Sequence, residues 1–353
     1  MLINIFLALV LLLSYLSYHV SPATIGPLAF FGLAYPYILL VNVLFCLYWI
    51  FRKKKFFLIS FIVIAVGYNH VKSTAMIFRF KKEESNKFSN LKICTYNVRL
   101  FNHYQWDHQK NVYDSIVRFI SNENVDIVCF QEFFYLENMS PRLNDIKNGL
   151  KSTRHYHIDH FEHTKNIYYG IATFSKYPII NKGSIRFRNS LNSAIFTDIL
   201  VNGDTIRIYN NHLQSYKIHN KDIEFIGNFK FEYNEAQMRQ AKSLSSKMRQ
   251  AYVKRAEQVD EISGHIKNSP YPVIVCGDFN DTPVSYAYHK MRGNLKDSFV
   301  ESGYGMSNTY NGNIPSFRID YIFHDPSFTA QNYERRKLGF SDHFPVMCEL
   351  TIK

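Results

Sequence analysis

Hydrophobic residues fill the N-terminal part of the chain almost without interruption, then thin into shorter alternating patterns from Leu91 onward. Leu2–Val20 and Leu28–Ile50 are near-continuous apolar runs. At about 1.5 Å per helical residue each is long enough for a hydrocarbon core of about 30 Å, so both are expected to be membrane helices. A third run, Phe56–Val71, is shorter and holds Asn69 and His70, so it spans only with little tilt or by continuing toward Phe80. The pattern therefore predicts an anchor over 1–80, with spans at 2–20, 28–50 and 56–72. No Lys or Arg precedes the first run, and a second span follows Pro22 and Pro27 almost at once, which favours an uncleaved anchor over a secretory signal.

The remainder, 91–353, reads as mixed α and β. Leu91–Arg99 and Ile127–Gln131 carry strand patterns, Tyr113–Asn122 a helical one, and strands and loops continue to Ile208. Tyr233–Ile266 is the clearest helix, with Met238, Ala241, Leu244 and Met248 recurring at three and four residues, and Ser269-Pro270-Tyr271-Pro272 ends it. Tyr216–Met248 is basic and aromatic by turns, with Lys217, Lys221, Phe225, Phe229, Lys230, Phe231, Arg239 and Lys242. It fits an amphipathic helix with a solvated basic face, or alternatively a lid or membrane-facing ramp.

Charge is uneven. Of the net +12, residues 1–90 hold nine Lys/Arg against two Asp/Glu, and residues 91–353 hold 32 against 27. Most of the basic excess flanks the apolar runs, where anionic head groups attract it, and it argues little for a DNA-binding face. Arg52, Lys53, Lys54 and Lys55 form the connection after the second run, whereas Ser21–Pro27 is uncharged. The positive-inside rule puts that basic turn in the cytoplasm and, after three spans of a multi-pass anchor, the catalytic part on the extracytoplasmic side. Lys72, Arg79, Lys81 and Lys82 pull the other way. So do five cysteines without CxxC or Cys/His spacing, which read as buried free thiols of a reducing compartment.

Chemistry-bearing residues stand where strand patterns meet polar loops. They are Asn97 in Cys94–Arg99, Glu132 after Val128–Gln131, Asp278 and Asn280 after Val273–Gly277, Asp320 in Arg318–Phe323, and Asp342-His343. Hydrolysing a phosphate ester needs a cation against developing negative charge, a base for water and help for the leaving oxygen. Carboxylate and amide oxygens of this kind suit Mg²⁺ or Mn²⁺. A competing cluster, His155-Tyr156-His157-Ile158-Asp159-His160-Phe161-Glu162-His163, offers four imidazoles. On a strand only His155 and His157 share a face, so it makes a poor zinc site.

In order, Thr95-Tyr96-Asn97-Val98-Arg99, Gln131-Glu132, Tyr169–Lys176, Asn211-His212-Leu213, Gly277-Asp278-Phe279-Asn280, Arg318-Ile319-Asp320-Tyr321 and Ser341-Asp342-His343 resemble the endonuclease/exonuclease/phosphatase superfamily. That group includes deoxyribonuclease I, abasic-site endonucleases, inositol-polyphosphate 5-phosphatases and neutral sphingomyelinases. The resemblance covers about 91–353 and implies a four-layer α/β/β/α sandwich, two packed β-sheets flanked by helices, with a site at one edge. It implies Glu132 as principal metal ligand, with Asn97 and Asp342 nearby. It further implies His343 as base or phosphate-polarising imidazole oriented by Asp320, and His212 across the phosphate. Asp278 would position water, and Asn280 would bind a phosphate oxygen. Tyr209-Asn210-Asn211 stands before His212 where many relatives carry Thr, and Arg255 and Gln258 are placed to brace the site or to be solvated.

These features lead to a membrane-tethered, Mg²⁺- or Mn²⁺-dependent hydrolase acting on a phosphorylated substrate, whether lipid head group, sugar phosphate or nucleic acid. The lipid bilayer is the expected partner, and no protein partner is inferred. A membrane-bound endonuclease and a non-catalytic scaffold are the alternatives. The first requires a basic groove, which the net +5 of the catalytic part neither supplies nor excludes, and the second conflicts with an intact acidic and imidazole set.

Overall fold

The structure is a computed structural model that describes residues 1–77, 90–104, 112–164, 166–188, 190–218, 220–228, 235–312 and 316–352. Its helices begin with α1 (Leu2–His19), α2 (Leu28–Phe51), α3 (Phe57–Val66), α4 (Tyr68–Thr74) and α5 (Val112–Asn122). They continue with α6 (Leu143–Gly149), α7 (Asn220–Gly227), α8 (Glu235–Lys267), α9 (Tyr286–Arg292) and α10 (Ser298–Ser302). The first six strands are β1 (Asn90–Asn97), β2 (Ile127–Leu136), β3 (His155–Thr164), β4 (Ile167–Ser175), β5 (Ile179–Arg186) and β6 (Ser193–Val201). The other six are β7 (Asp204–His212), β8 (Val273–Asp278), β9 (Lys296–Asp297), β10 (Asp320–His324), β11 (Phe328–Arg335) and β12 (Val346–Ile352). These elements fall into two compact units, one of Met1–Ala75, Gln214–Glu261 and Asp281–Met291, the other of Met76–Leu213, Ile262–Asn280 and Arg292–Lys353.

In the first unit, α1 and α2 are long and apolar enough to cross a membrane. The third expected span breaks at Gly67 into α3 and α4, which meet at 70° and reach spanning length only when taken together. At the break a Cβ on Gly67 would lie 2.1 Å from the Tyr15 hydroxyl, so close packing of α1 requires glycine there. Three buried polar side chains fasten the helices, as Ser60 Oγ donates to Asn4 Oδ1 (2.6 Å) and Asn42 Oδ1 (3.1 Å). Asn4 Nδ2 donates in turn to Phe56 O and Asn42 Nδ2 to Leu7 O. Such groups are costly in an apolar layer unless paired, so each becomes a specific clasp.

That clasp sets the start of α1 beside the basic turn Arg52–Lys55. The other end of α1 and α2 meets the segment after Asp281, where Ser17 Oγ donates to Val284 O (3.2 Å) and Thr282 Oγ1 to Gly32 O (3.5 Å). Leu11, Tyr15, Tyr35 and Val284 form the core between them. The expected continuation of the third span toward Phe80, and the residues Arg79, Lys81, Lys82, Phe229, Lys230, Phe231 and Tyr233, lie outside the described residues.

The second unit is the α/β/β/α sandwich. One sheet has the order β11-β12-β1-β2-β4-β3, the other β5-β6-β7-β8-β10-β9, and β1/β2 and β7/β8 are parallel pairs among otherwise antiparallel neighbours. Strand alternation divides one sequence between two cores. From β1 and β2, Ile93, Ile127 and Cys129 face the other sheet's Ile208, Cys276 and Ile322. Cys94, Tyr96, Val128 and Phe130 face outward onto Val112, Ile116 and Ile120 of α5 and Ile146 of α6. The outer side of the second sheet is covered by the end of α8, with His265 against Phe196 and Tyr209. Burial on both faces explains why these strands are apolar at nearly every position. The four cysteines of this unit are buried and free.

A polar bridge crosses the otherwise apolar layer between the sheets. Gln131 Nε2 donates to Asn210 Oδ1 (2.7 Å), and Asn210 Nδ2 donates to Ala172 O (2.9 Å) and Phe130 O (3.2 Å). Both side chains are fully buried, so this bridge fixes the register of one sheet on the other, close to the strand ends that carry the site.

Candidate active site

Strand register assembles the site. In the second sheet β7, β8 and β10 pair so that His212 stands opposite Asp278 and Asp278 opposite Asp320, a single row of three chemical groups at the strand ends. In the first sheet the last residue of β1, Asn97, pairs with Gln131, and the register of β2 against β4 slips between Phe130 and Phe133. Within that bulge Glu132 takes a left-handed backbone (φ 49°), which turns its side chain out of the strand alternation. Gly277 stands at φ 137°, and a Cβ there would lie 2.0 Å from Asn211 O, so only glycine lets β8 approach β7 beside His212.

Asn97 joins the two sheets. Its Nδ2 donates to Glu132 Oε1 (3.2 Å) and to Asp278 Oδ2 (3.0 Å), while its Oδ1 accepts from the Arg99 N–H (3.0 Å). His212 Nε2 lies 3.7 Å from Glu132 Oε1 and 3.9 Å from Asp278 Oδ2. His343 places Nδ1 on both oxygens of Asp320 (3.0 and 3.2 Å) and Nε2 3.7 Å from Asp278 Oδ2. The Asn280 N–H donates to Asp278 Oδ1 (2.8 Å), and its Nδ2 to Leu213 O (3.0 Å). Asp342 pairs with Arg99 Nε at 3.4 Å, and Ser341 Oγ donates to Asn97 O (2.8 Å), tying the last motif to the first. All eight residues singled out in the sequence thus share one edge of the sandwich.

Burial and like charge shape the proton affinities. Burial, with Asp342 adding to it, pushes the Glu132 carboxyl above its ordinary value. Burial lifts Asp278 to about 6 against the opposing pull of His343. For His343 burial disfavours the charge, but Asp320 and Asp278 outweigh it and raise the imidazole to about 10. His212 is lowered, chiefly by burial. Crowded carboxyl groups held above their usual range are a setting that a hard cation relieves, and the oxygen-rich donor set fits one. Among the described residues, Asp278, Asp320 and His343 form the one cluster of such groups with ligand atoms within 4.8 Å of each other.

A cavity of about 180 Å³ opens beside Glu132 and His212. Leu100, Tyr169, Ile171 and Leu191 supply much of its wall, and among the described residues no Lys or Arg lines it. Tyr169 and Ile171 belong to the Tyr169–Lys176 motif, whereas sequence reading missed Leu100 and Leu191 because an isolated Leu carries no chemical signal. It also missed Tyr310, whose ring packs edge-on against His343 at 5.3 Å, and Thr309, whose Oγ1 accepts from the Asp320 N–H (3.1 Å). Both belong to a polar loop whose path only the fold reveals.

Arg255 and Gln258 belong to the first unit. Arg255 is fully buried there and donates to Gln214 O (2.9 and 2.7 Å) and Asp281 Oδ2 (2.7 Å), while Gln258 Oε1 accepts from the Gln214 N–H. The histidine run does not gather. His157 turns inward onto Thr197 Oγ1 (3.0 Å), His160 sits against Tyr135 and Tyr168 on the opposite face, and His155 is exposed. The His163 side chain lies outside the described residues.

A family model described as the endonuclease/exonuclease/phosphatase family matches residues 94–343, and a domain family of unknown function matches residues 1–74. No curated protein matches the chain. Among solved structures, the chain is similar to an endonuclease/exonuclease/phosphatase from Beutenbergia cavernae, at 15% identity and TM-score 0.53 over 74% of this chain and 72% of that one. It is also similar to one from Bacteroides vulgatus, at 19% identity and TM-score 0.51 over 75% and 100%. The human nocturnin catalytic domain with bound sulfate aligns at 16% identity and TM-score 0.52 over 75% and 94%.

Proposed function

We propose that this chain, which belongs to the endonuclease/exonuclease/phosphatase family, is a membrane-tethered, divalent-metal-dependent hydrolase of phosphate esters acting on lipid phosphodiesters. The observation that carries the reading is the convergence of Asn97, Glu132, His212, Asp278, Asp320 and His343 through the contacts given above. A bound Mg²⁺ or Mn²⁺, held by Glu132 with Asn97 and Asp342, would neutralise charge developing on the phosphate.

The protein groups divide the remaining work. Asp278, raised to about 6, has the proton affinity a general base needs near neutral pH, and it positions and deprotonates the attacking water. The Asn97 amide and both the N–H and the Nδ2 of Asn280 hold its carboxylate in one orientation, and Asn280 is assigned a phosphate oxygen by its place in the family motif. His343, oriented by Asp320 and kept charged, offers its Nε2–H to a phosphate oxygen as the phosphate-polarising group rather than as the base. His212, kept neutral by burial, hydrogen-bonds the oxygens from the other side as the leaving group departs.

The largely apolar wall of the cavity beside Glu132 and His212 supports a substrate whose phosphate bears an uncharged or apolar group. The tether agrees with a lipid substrate. With α1, α2 and the bent α3–α4 pair as three crossings and Arg52–Lys55 in the cytoplasm, the end that meets Thr282 and Val284 is extracytoplasmic. The test is a substrate panel. Purified full-length protein with Mg²⁺ should cleave phospholipids or sphingomyelin in preference to inositol phosphates, sugar phosphates and plasmid. Digestion of plasmid with lipids left intact would overturn the lipid assignment.

A further inference from the structure

The helix α8, Glu235–Lys267, is about 50 Å long at 1.5 Å per residue, yet only part of it is packed. Within the first unit its middle lies on the connection between the two apolar helices. Tyr252 meets Phe30 edge-on at 5.5 Å, and the Arg249 side chain covers Gly26, where a Cβ would lie 2.8 Å from Nε. Gly26 and Phe30 mark the point at which the apolar runs end, which is the level of lipid head groups if those helices span.

N-terminal to Arg249 the helix buries Leu244 and little else. At 100° per residue, the side of α8 that meets Gly26 and Phe30 through Arg249 and Tyr252 continues as Ser245, Lys242 and Met238. Met238 is 61% exposed, an uncovered thioether beside cations. From Met238 to Lys254 the sequence holds five Lys/Arg and no carboxylate. Lys247 is taken up by Asp222 (2.9 Å) and Arg239 meets Glu235 at 3.4 Å, while Lys242 and Arg249 are exposed on the side that touches the helix connection.

We propose that this side of α8, from Met238 to Arg249, rests on an anionic lipid surface next to the membrane-crossing helices, with Lys242, Arg249 and Arg239 on the head groups and Met238 dipping among them. Charge complementarity and continuity with the packed Gly26–Phe30 connection select the bilayer as occupant. The inference rests on the reading that α1 and α2 span.

The test uses the full chain in nanodiscs of phosphatidylcholine, alone or mixed with phosphatidylglycerol, carrying one nitroxide at M238C, at exposed D204C or at L9C on α1. Collision with water-soluble nickel chelate at position 238 should be about fivefold lower in the anionic discs than at position 204. High salt or the combined R239S, K242S and R249S changes should abolish that protection. Equal nickel access at 238 and 204 in anionic discs, with position 9 seen only by lipid-soluble oxygen, would overturn the surface contact alone. Nickel access at position 9 would overturn the spanning helices and this inference together.

Discussion

Asn210 shows how much one side chain can carry in this fold. Its amide satisfies Ala172 O and Phe130 O and receives Gln131, all fully buried between the sheets. Replacing it with Leu keeps the volume but leaves those groups unpaired, so Asn210→Leu should cost about 2–4 kcal/mol, read as a lowered denaturant midpoint. A loss under about 1 kcal/mol would mean that the bridge is not what holds the sheets in register. His157 gives a second residue-scale outcome. Burial, with Lys182 adding to it, lowers its imidazole from 6.5 to about 4, so the fold binds a proton there less readily than the unfolded chain. Its contribution is fully present above pH 6.5 and is lost as the pH falls toward 4. Thermal melts should therefore decline more steeply across that window for the wild type than for His157→Gln, and parallel curves would contradict the assignment.

At the scale of elements, much was readable in advance. The strand from Leu91 and the helix from Tyr113 were expected and form within a residue or two, and α8 runs from Glu235 to Lys267 against an expected Tyr233–Ile266. Their periodicity is local, so the sequence carries it directly. The eight candidate residues could be picked out because each belongs to a short ordered motif. What was hidden depends on long-range packing. The bulge that turns Glu132 outward arises from register against β4, the break of the third apolar run falls where Tyr15 packs over Gly67, and the cavity walls come from separate strands and loops. Gly277 is the sharpest case of backbone serving chemistry, because it lets β8 approach β7 at Asn211, next to the point where His212 stands opposite Asp278. Gly277→Ala should destabilise the fold by about 2 kcal/mol or more and remove most hydrolysis, by displacing His212 from Asp278. Unchanged activity in a folded Gly277→Ala variant would show that this approach is not needed.

At the scale of the whole molecule the proposal joins a hydrolytic site to a tether, and the sidedness it implies can be measured. In intact cells a membrane-impermeant maleimide should label D204C and leave K54C unlabelled until the membrane is permeabilised, with Cys46 and the four buried thiols protected. The reverse labelling would place the sandwich in the cytoplasm, in line with the reduced cysteines. The central claim, however, is that separated strand ends make one metal-assisted centre around Glu132. The most direct measurement is hydrolysis of a lipid phosphodiester by the purified full chain, before and after chelation and on re-addition of Mg²⁺, for wild type and Glu132→Gln. Activity that disappears with chelator, returns with Mg²⁺ and is lower by about two orders of magnitude or more in Glu132→Gln is the predicted result. Equal hydrolysis by both proteins, indifferent to chelator, would contradict it.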